Sequence, residues 1–164
     1  MRTLELTASS IMAALVCVAT LFFIVPIPAT QGYFNIGDAM IVIAAIVFGP
    51  MVGAVSGGVG AALADILAGY SYFAPFTLVI KGLEGAIIGI IYTKMKSRFI
   101  LKLVIAWIVG GLEMVVGYFI TEYLFLGYGN AAFVEIPFNI TQMLVAGIAG
   151  IPLALALQRI LKYK

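Results

Sequence analysis

The stretch FAPFTLVIKGLEGAIIGIIY, residues 73–92, decides what kind of molecule this is. Its length and apolarity suit a membrane-crossing helix, which needs about 20 mostly apolar residues. Yet it carries Lys81 and Glu84, three residues apart. Each ionisable group at mid-bilayer costs about 2.5–3.5 kcal/mol on insertion scales, so such groups are paired, hydrated or turned inward.

The whole chain shares this character. It has 164 residues, 64% hydrophobic and 10% charged, with a mean hydropathy of +1.20. A soluble domain is about 45–50% apolar and roughly 25% charged, so the excess apolar surface must face lipid. A net charge of +2 without a long basic run offers nothing to nucleic acid. There is no histidine, which removes the commonest general base and metal ligand. The single Cys17, between Val16 and Val18, forms neither a structural disulfide nor a C-x-x-C metal pair. No nucleophile–base pair stands out, so an intramembrane enzyme is disfavoured, and no cofactor is signalled. No G-x-x-x-x-G-K-[ST] loop is present to hold ATP.

Reading outward from residues 73–92 for breaks predicts six spans, near 5–25, 36–49, 51–70, 74–95, 99–125 and 133–160. The expected fold is an all-α integral membrane protein, one compact six-helix bundle over residues 1–164. The opening segment reads as a retained first helix rather than a signal peptide, because its apolar run is long and lacks a clear A-x-A site. Pro26 and Pro28 end the first span, since proline lacks an N–H and clashes with the preceding turn. Gly49-Pro50 divides the second span from the third. The second is too short to cross upright unless it begins nearer Gly32.

Charge sets the orientation. Arg2, Lys94, Lys96, Arg98, Lys102, Arg159, Lys162 and Lys164 all fall on one side of a six-span topology. The positive-inside rule makes that side, with both termini, cytoplasmic. Lys81 is the exception. Entering from outside near Ala74, it lies about 10 Å deep and Glu84 about 15 Å, at 1.5 Å per residue. Thr77, Lys81 and Glu84 share a helix face through i, i+4, i+7 spacing. Asp65, Asn139 and Gln142 fall in the outer half too, and Asp38 opens the second span. Glu113 lies near mid-membrane, and Glu122 closes the fifth span, where an interfacial carboxylate is the alternative to a pocket group. The ensemble predicts a polar cavity open to the outside. For Lys81 itself two roles stay open: orienting a ligand, or pairing with Glu84 or Asp65 to staple helices.

Small residues recur at four-residue spacing: Gly53, Gly57, Ala61 and Gly60, Ala64, Ala68 in the third span, and Gly82, Ala86 and Gly85, Gly89 in the fourth. Such rows let helix backbones approach closely in lipid. In the first span Ser9, Ala13 and Cys17 form one small row, with Ser10 and Ala14 beside it. That face suits either a partner helix or internal packing.

Taken together, six short spans, a small-residue first helix and an outward polar pocket resemble the substrate-binding S components of energy-coupling factor (ECF) vitamin transporters. The specific stretch is residues 32–85. Its N-x-G-D opening at Asn35–Asp38, the Gly49-Pro50 hinge, the A-D of Ala64-Asp65 and the A-P-F-x-x-x-I-K-G block from Ala74 to Gly82 are similar to the branch that includes riboflavin, pyridoxine and hydroxymethylpyrimidine binders. The topology match covers the whole chain and the motif match about a third of it.

The resemblance implies a prokaryotic plasma-membrane protein that captures a vitamin from outside. It would associate through its first helix with a transmembrane T component driven by two ATPase subunits, which hydrolyse the ATP, and topple to release the vitamin inside. The implied pocket falls on Asn35, Asp38, Thr77, Lys81, Glu84, Glu113, Tyr118, Asn139, Gln142 and Met143. Gln31, Tyr33, Phe34 and Asn35 form the implied lid. Ser9, Ser10, Ala13, Ala14 and Cys17 form the implied partner face, although the A-x-x-x-A common in that family is here Ser9-x-x-x-Ala13 and Ser10-x-x-x-Ala14. One Lys with carboxylates, Asn and Gln suits a small polar aromatic ring, with Tyr118 or Phe138 stacking on its face. That places pyridoxine or hydroxymethylpyrimidine first and riboflavin second. Folate and thiamine are not signalled. The competing class is an autonomous ion-coupled carrier, disfavoured because no polar row continues inward and no inverted repeat relates the two halves.

Overall fold

The computed structural model describes residues 3–162, so Arg2 and Lys164 of the orientation argument lie outside the described residues. Helix α1 (Thr3–Phe22) leads into a two-stranded antiparallel hairpin, β1 (Ile24–Ile27) and β2 (Gly32–Asn35). There follow α2 (Asp38–Phe48), α3 (Pro50–Ala68), α4 (Ala74–Lys94), α5 (Phe99–Ile120) and α6 (Ala132–Lys162). A π-helical turn, Thr121–Phe125, extends α5, and a short 3-10 turn, Gly129–Ala131, precedes α6.

The six helices are those expected, and the hairpin is an addition to the all-α bundle. Residues 23–25, assigned above to the first span, leave the helix ahead of Pro26, and the chain turns back with Ile24 opposite Asn35 and Ile27 opposite Gly32. Pro26 is tolerated because a two-stranded ribbon leaves each strand an edge with no ladder bond to lose.

The second span is shorter than predicted. Gly32–Asn35 is strand, so α2 keeps 11 residues, about 16 Å at 1.5 Å per residue against a hydrocarbon core of about 30 Å. Five helical segments are long and apolar enough to cross a membrane, and α2 is the shorter sixth. Its sequence DAMIVIAAIVF is apolar all round, as an enclosed helix requires, and Ile41 through Ile46 are all buried. Because α2 ends inside the bundle, its last carbonyls need partners. Gln158 of α6 donates Nε2 to the Ile46 carbonyl at 2.8 Å, and its Oε1 accepts the Tyr92 hydroxyl of α4 at 3.0 Å. At the α2–α3 break Gly49 has φ +95°, a conformation only glycine adopts without strain, and Pro50 starts α3.

The small-residue rows are internal, and α3 is the hub. A β-carbon on Gly57 would sit 2.5 Å from the Lys81 carbonyl of α4, and one on Gly60 2.5 Å from the Ala13 carbonyl of α1. The backbones therefore touch where side chains would hold them apart. The molecule divides lengthwise. Met12, Ile43, Val52, Ile88, Tyr92, Leu103 and Ala154 belong to an apolar core toward the Lys94–Lys102 end. The opposite end is polar and carries the hairpin. Outward faces display Leu4, Leu67, Val79, Val116 and Ile148, the surface of a helix bundle bathed in lipid.

Candidate functional site

Antiparallel packing brings the C-terminal ends of α1, α3 and α5 together with the N-terminal ends of α4 and α6 and the hairpin. A cavity opens there, with about 410 Å³ of non-atom space including its mouth. Its wall includes Thr20, Tyr33, Asn35, Asp65, Phe73, Thr77, Lys81, Tyr118, Glu122, Glu135, Asn139 and Gln142. The expectation of a polar cavity at this end therefore corresponds to a real concavity.

Lys81 sits at its floor, 1% exposed. The closest partner is Asp38, whose two carboxylate oxygens lie 2.6 and 2.7 Å from Nζ, while Glu84 Oε2 stands at 3.3 Å. The staple expected with Glu84 or Asp65 is thus centred on Asp38, a residue 43 positions away. Asp38 opens α2, where a carboxylate favours the positive end of the helix dipole. Gln142 of α6 donates to Asp38 Oδ2 at 2.8 Å and accepts the Asn35 backbone N–H at 2.9 Å, and Asn35 Oδ1 accepts the Gly37 N–H at 2.9 Å. One polar chain thereby joins α4, α2, α6 and the hairpin.

The hairpin is held over the cavity from several sides. Tyr33 donates its hydroxyl to Asp65 of α3, Thr30 donates to Glu135 of α6, and Tyr72 donates to the Gln31 carbonyl at 2.7 Å. Burial, and after it the Asp65 carboxylate, holds the Tyr33 phenol above its ordinary pKa, so it remains a donor. Tyr118 donates to Thr77 Oγ1 at 3.1 Å and carries Lys81 Nζ 5.4 Å from its ring centroid, within cation–π range.

The proposed residues divide by position. Asn35, Thr77, Lys81, Tyr118, Asn139 and Gln142 line the cavity together. Asp38 and Glu84 stand behind Lys81 and reach the wall through it. Met143 packs beneath with Ile80, Met114 and Val115, where the Cα of Gly111 leaves it room. Glu113 is half-buried and off the wall. Phe138 is 39% exposed and off the wall, so Tyr118 is the wall's aromatic of the two. Of the lid residues Tyr33 and Asn35 face the cavity, whereas Phe34 packs edge-on against Phe23 at 6.1 Å and Gln31 is exposed at the turn. Of the α1 residues expected to form a partner face, only Ser10 and Ala14 are exposed. Ser9, Ala13 and Cys17 are buried, with Ala13 against Gly60 of α3.

Sequence reasoning misses Thr20, Gly32, Phe73 and Glu135 as wall residues, and it places Asp65 and Glu122 only as nearby polar groups. The available signal is topological: a carboxylate at the same end of successive antiparallel helices faces its neighbours. Among the described residues Asp38, Asp65, Glu84, Glu122 and Glu135 are buried in this half, and Lys81 is the sole buried cation. Such a wall is rich in acceptors and suits a ligand rich in donors.

Over 142 residues the chain is 34% identical to the thiamine precursor transporter HmpT of Lactococcus lactis subsp. cremoris, covering 86% of this chain and 80% of that protein. It is 47% identical over 116 residues to a Pyrococcus woesei protein described as an uncharacterized protein in gap 3'region, covering 71% and 76% of the two. A family model described as ECF-type riboflavin transporter, S component, matches residues 1–159. The chain belongs to that family, whose members are multi-pass membrane transport proteins of bacteria and archaea rather than enzymes.

Proposed function

We propose that this chain is the substrate-capturing subunit of an ECF importer and that its substrate is the aminopyrimidine precursor of thiamine, a hydroxymethylpyrimidine. The observation that carries the reading is the acceptor-rich wall. Lys81 is already matched by Asp38 and Glu84, so the cavity has little free cation to offer an anionic ligand. The carboxyls that remain, Asp65, Glu122 and Glu135, favour a ring bearing N–H and O–H groups. The name of the Lactococcus relative supports the same choice.

With both termini cytoplasmic, the cavity faces outside and the hairpin covers it. Release inward would require a T component and two ATPase subunits, since the chain has no Walker loop of its own. Pyridoxine shares the ring size but has no exocyclic amine attached directly to its ring. Riboflavin is the second reading, favoured by the description of the family model.

The test is ligand release from purified protein, followed by mass spectrometry and titration with hydroxymethylpyrimidine, pyridoxine and riboflavin. Stoichiometric hydroxymethylpyrimidine, with weaker binding of the other two, is the expected result. Tight riboflavin binding alone would overturn the substrate assignment. Sustained uptake by the isolated chain in proteoliposomes under an ion gradient would instead establish an autonomous carrier.

A further inference from the structure

Glu122 has no role in the network described above. It lies on the π-helical turn that ends α5, a backbone irregularity found frequently at functional sites. Its side chain lines the cavity, it is 0% exposed, and neither carboxylate oxygen accepts a hydrogen bond from any donor among the described residues. A second carboxyl, Glu135 in the first turn of α6, lines the same cavity beside it. Glu135 is held in place by the Thr30 hydroxyl and by Gly32, whose Cα lies so close that a β-carbon would collide with the carboxyl.

A buried acceptor without a donor is costly, because the group has given up water and received nothing in return. Two carboxyls facing one another compound the cost, for neither can donate to the other unless a proton lies between them. A ligand that brings donors removes the conflict.

We propose that Glu122 and Glu135 form a specificity subsite for the amino edge of an aminopyrimidine, the exocyclic N–H group together with the adjacent ring nitrogen. This rests on the reading of the cavity as a thiamine-precursor site. One carboxyl oxygen of the pair accepts the amine N–H, while the proton held between the pair and the ring nitrogen completes a second, parallel hydrogen bond. The contact is two-pronged, in the manner of a carboxylate on a guanidinium. The aromatic wall is in the right place: Tyr118 lies one turn before Glu122 on α5, and Phe73 packs against it at 6.5 Å between centroids. A ring lying on Tyr118 directs its edge, rather than its face, toward the carboxyls. The same chemistry rejects the competitors. Pyridoxine has no N–C–NH₂ edge. The imide edge of riboflavin sets two carbonyl oxygens on either side of its N–H, so acceptors would meet acceptors.

The experiment compares hydroxymethylpyrimidine with its analogue in which hydrogen replaces the amino group, by calorimetric titration of the intact wild-type protein and of Glu122→Met. The wild type is expected to favour the amino compound by about 10- to 100-fold, the range for a hydrogen bond to a charged group. Glu122→Met, which removes both the acceptor and the shared proton, should lose most of that preference by weakening the amino compound alone. Equal binding of the two pyrimidines by wild type, or an equal loss for both in Glu122→Met, overturns the subsite and leaves the substrate assignment standing. If the variant does not fold, the wild-type comparison decides alone. Binding of neither pyrimidine, with pyridoxine or riboflavin still bound, overturns both the substrate assignment and the subsite.

Discussion

Replacing Lys81 by Met removes the one buried cation from a site where Asp38 stands 2.6 Å and Glu84 3.3 Å from its nitrogen, all three side chains 2% exposed. Asp38 keeps the Gln142 amide at 2.8 Å, but one neutral donor does not replace an ammonium. Breaking a buried pair from one side costs about 3–5 kcal/mol, because the surviving charge remains buried without compensation. For a chain of this size that corresponds to a melting point lower by on the order of 10 °C. The double variant Lys81→Met with Asp38→Asn removes both members of the closer pair, and the side-chain amide introduced at the second position can still accept from Gln142. It should regain at least half of the lost stability, with Glu84 accounting for the rest. Thermal unfolding of ligand-free protein in detergent, followed by circular dichroism, measures both. If Lys81→Met melts with the wild type, or the double variant is no better than the single, the charges do not stabilise one another as the geometry requires. Titration with hydroxymethylpyrimidine on the rescued double variant then separates the two roles of Lys81. A loss of more than about tenfold, roughly 1.4 kcal/mol, in a protein that folds assigns Lys81 to the ligand. Recovery of binding along with stability assigns it to the staple.

Five further substitutions test other parts of the structure. Gly57→Ala drives a β-carbon to 2.5 Å from the Lys81 carbonyl, and should cost about 1–3 kcal/mol of stability as an overpacking change. Gly82→Ala has its nearest contact at 3.5 Å and should stay within about 0.5 kcal/mol of wild type; equal melting points would refute the close approach of α3 and α4. Tyr33→Phe removes the donor to Asp65 and should speed ligand dissociation about tenfold or more, measured by displacement kinetics, while an unchanged rate would mean the hairpin is not a lid. Ala14→Leu alters an outward position on α1 and should leave ligand binding intact while lowering uptake in the presence of T and ATPase subunits; Ala13→Leu, set against Gly60, should destabilise the isolated chain. Unchanged uptake by Ala14→Leu would remove that face from the partner interface.

The fold was legible where the physics is local. Pro50 and Gly49 divide two helices because of their own backbone preferences, and the small-residue rows of α3 announce close packing before any partner helix is known. The hairpin was hidden because Ile24–Ile27 continues the hydrophobicity of α1 and contains a proline, a combination that reads as helix exit rather than strand. Only its pairing with Gly32–Asn35 across a short turn makes it a ribbon. The same holds for the ion pair. Spacing along one helix draws attention to Glu84, whereas Asp38 is brought to Lys81 by the docking of α2 against α4, which no periodicity encodes.

Glu122 and Glu135 carry that distinction further. Each sits near the cavity end of its own helix, where a lone carboxylate looks like a solvated terminus, and in a single-helix view either is ordinary. Reversal of the chain between α5 and α6 puts them face to face, and Thr30 and Gly32 of the hairpin close over Glu135. Close packing of α2, α3 and α4 at the apolar end has no use for such a pair, and on stability grounds alone a hydrophobic replacement would serve as well or better. A buried acceptor pair at the mouth of a cavity is therefore best explained by a donor that comes and goes. On the proposed reading the two halves of the molecule divide the work: the close-packed apolar half holds the helices together, and a ligand supplies the hydrogens missing from the acceptor-rich half.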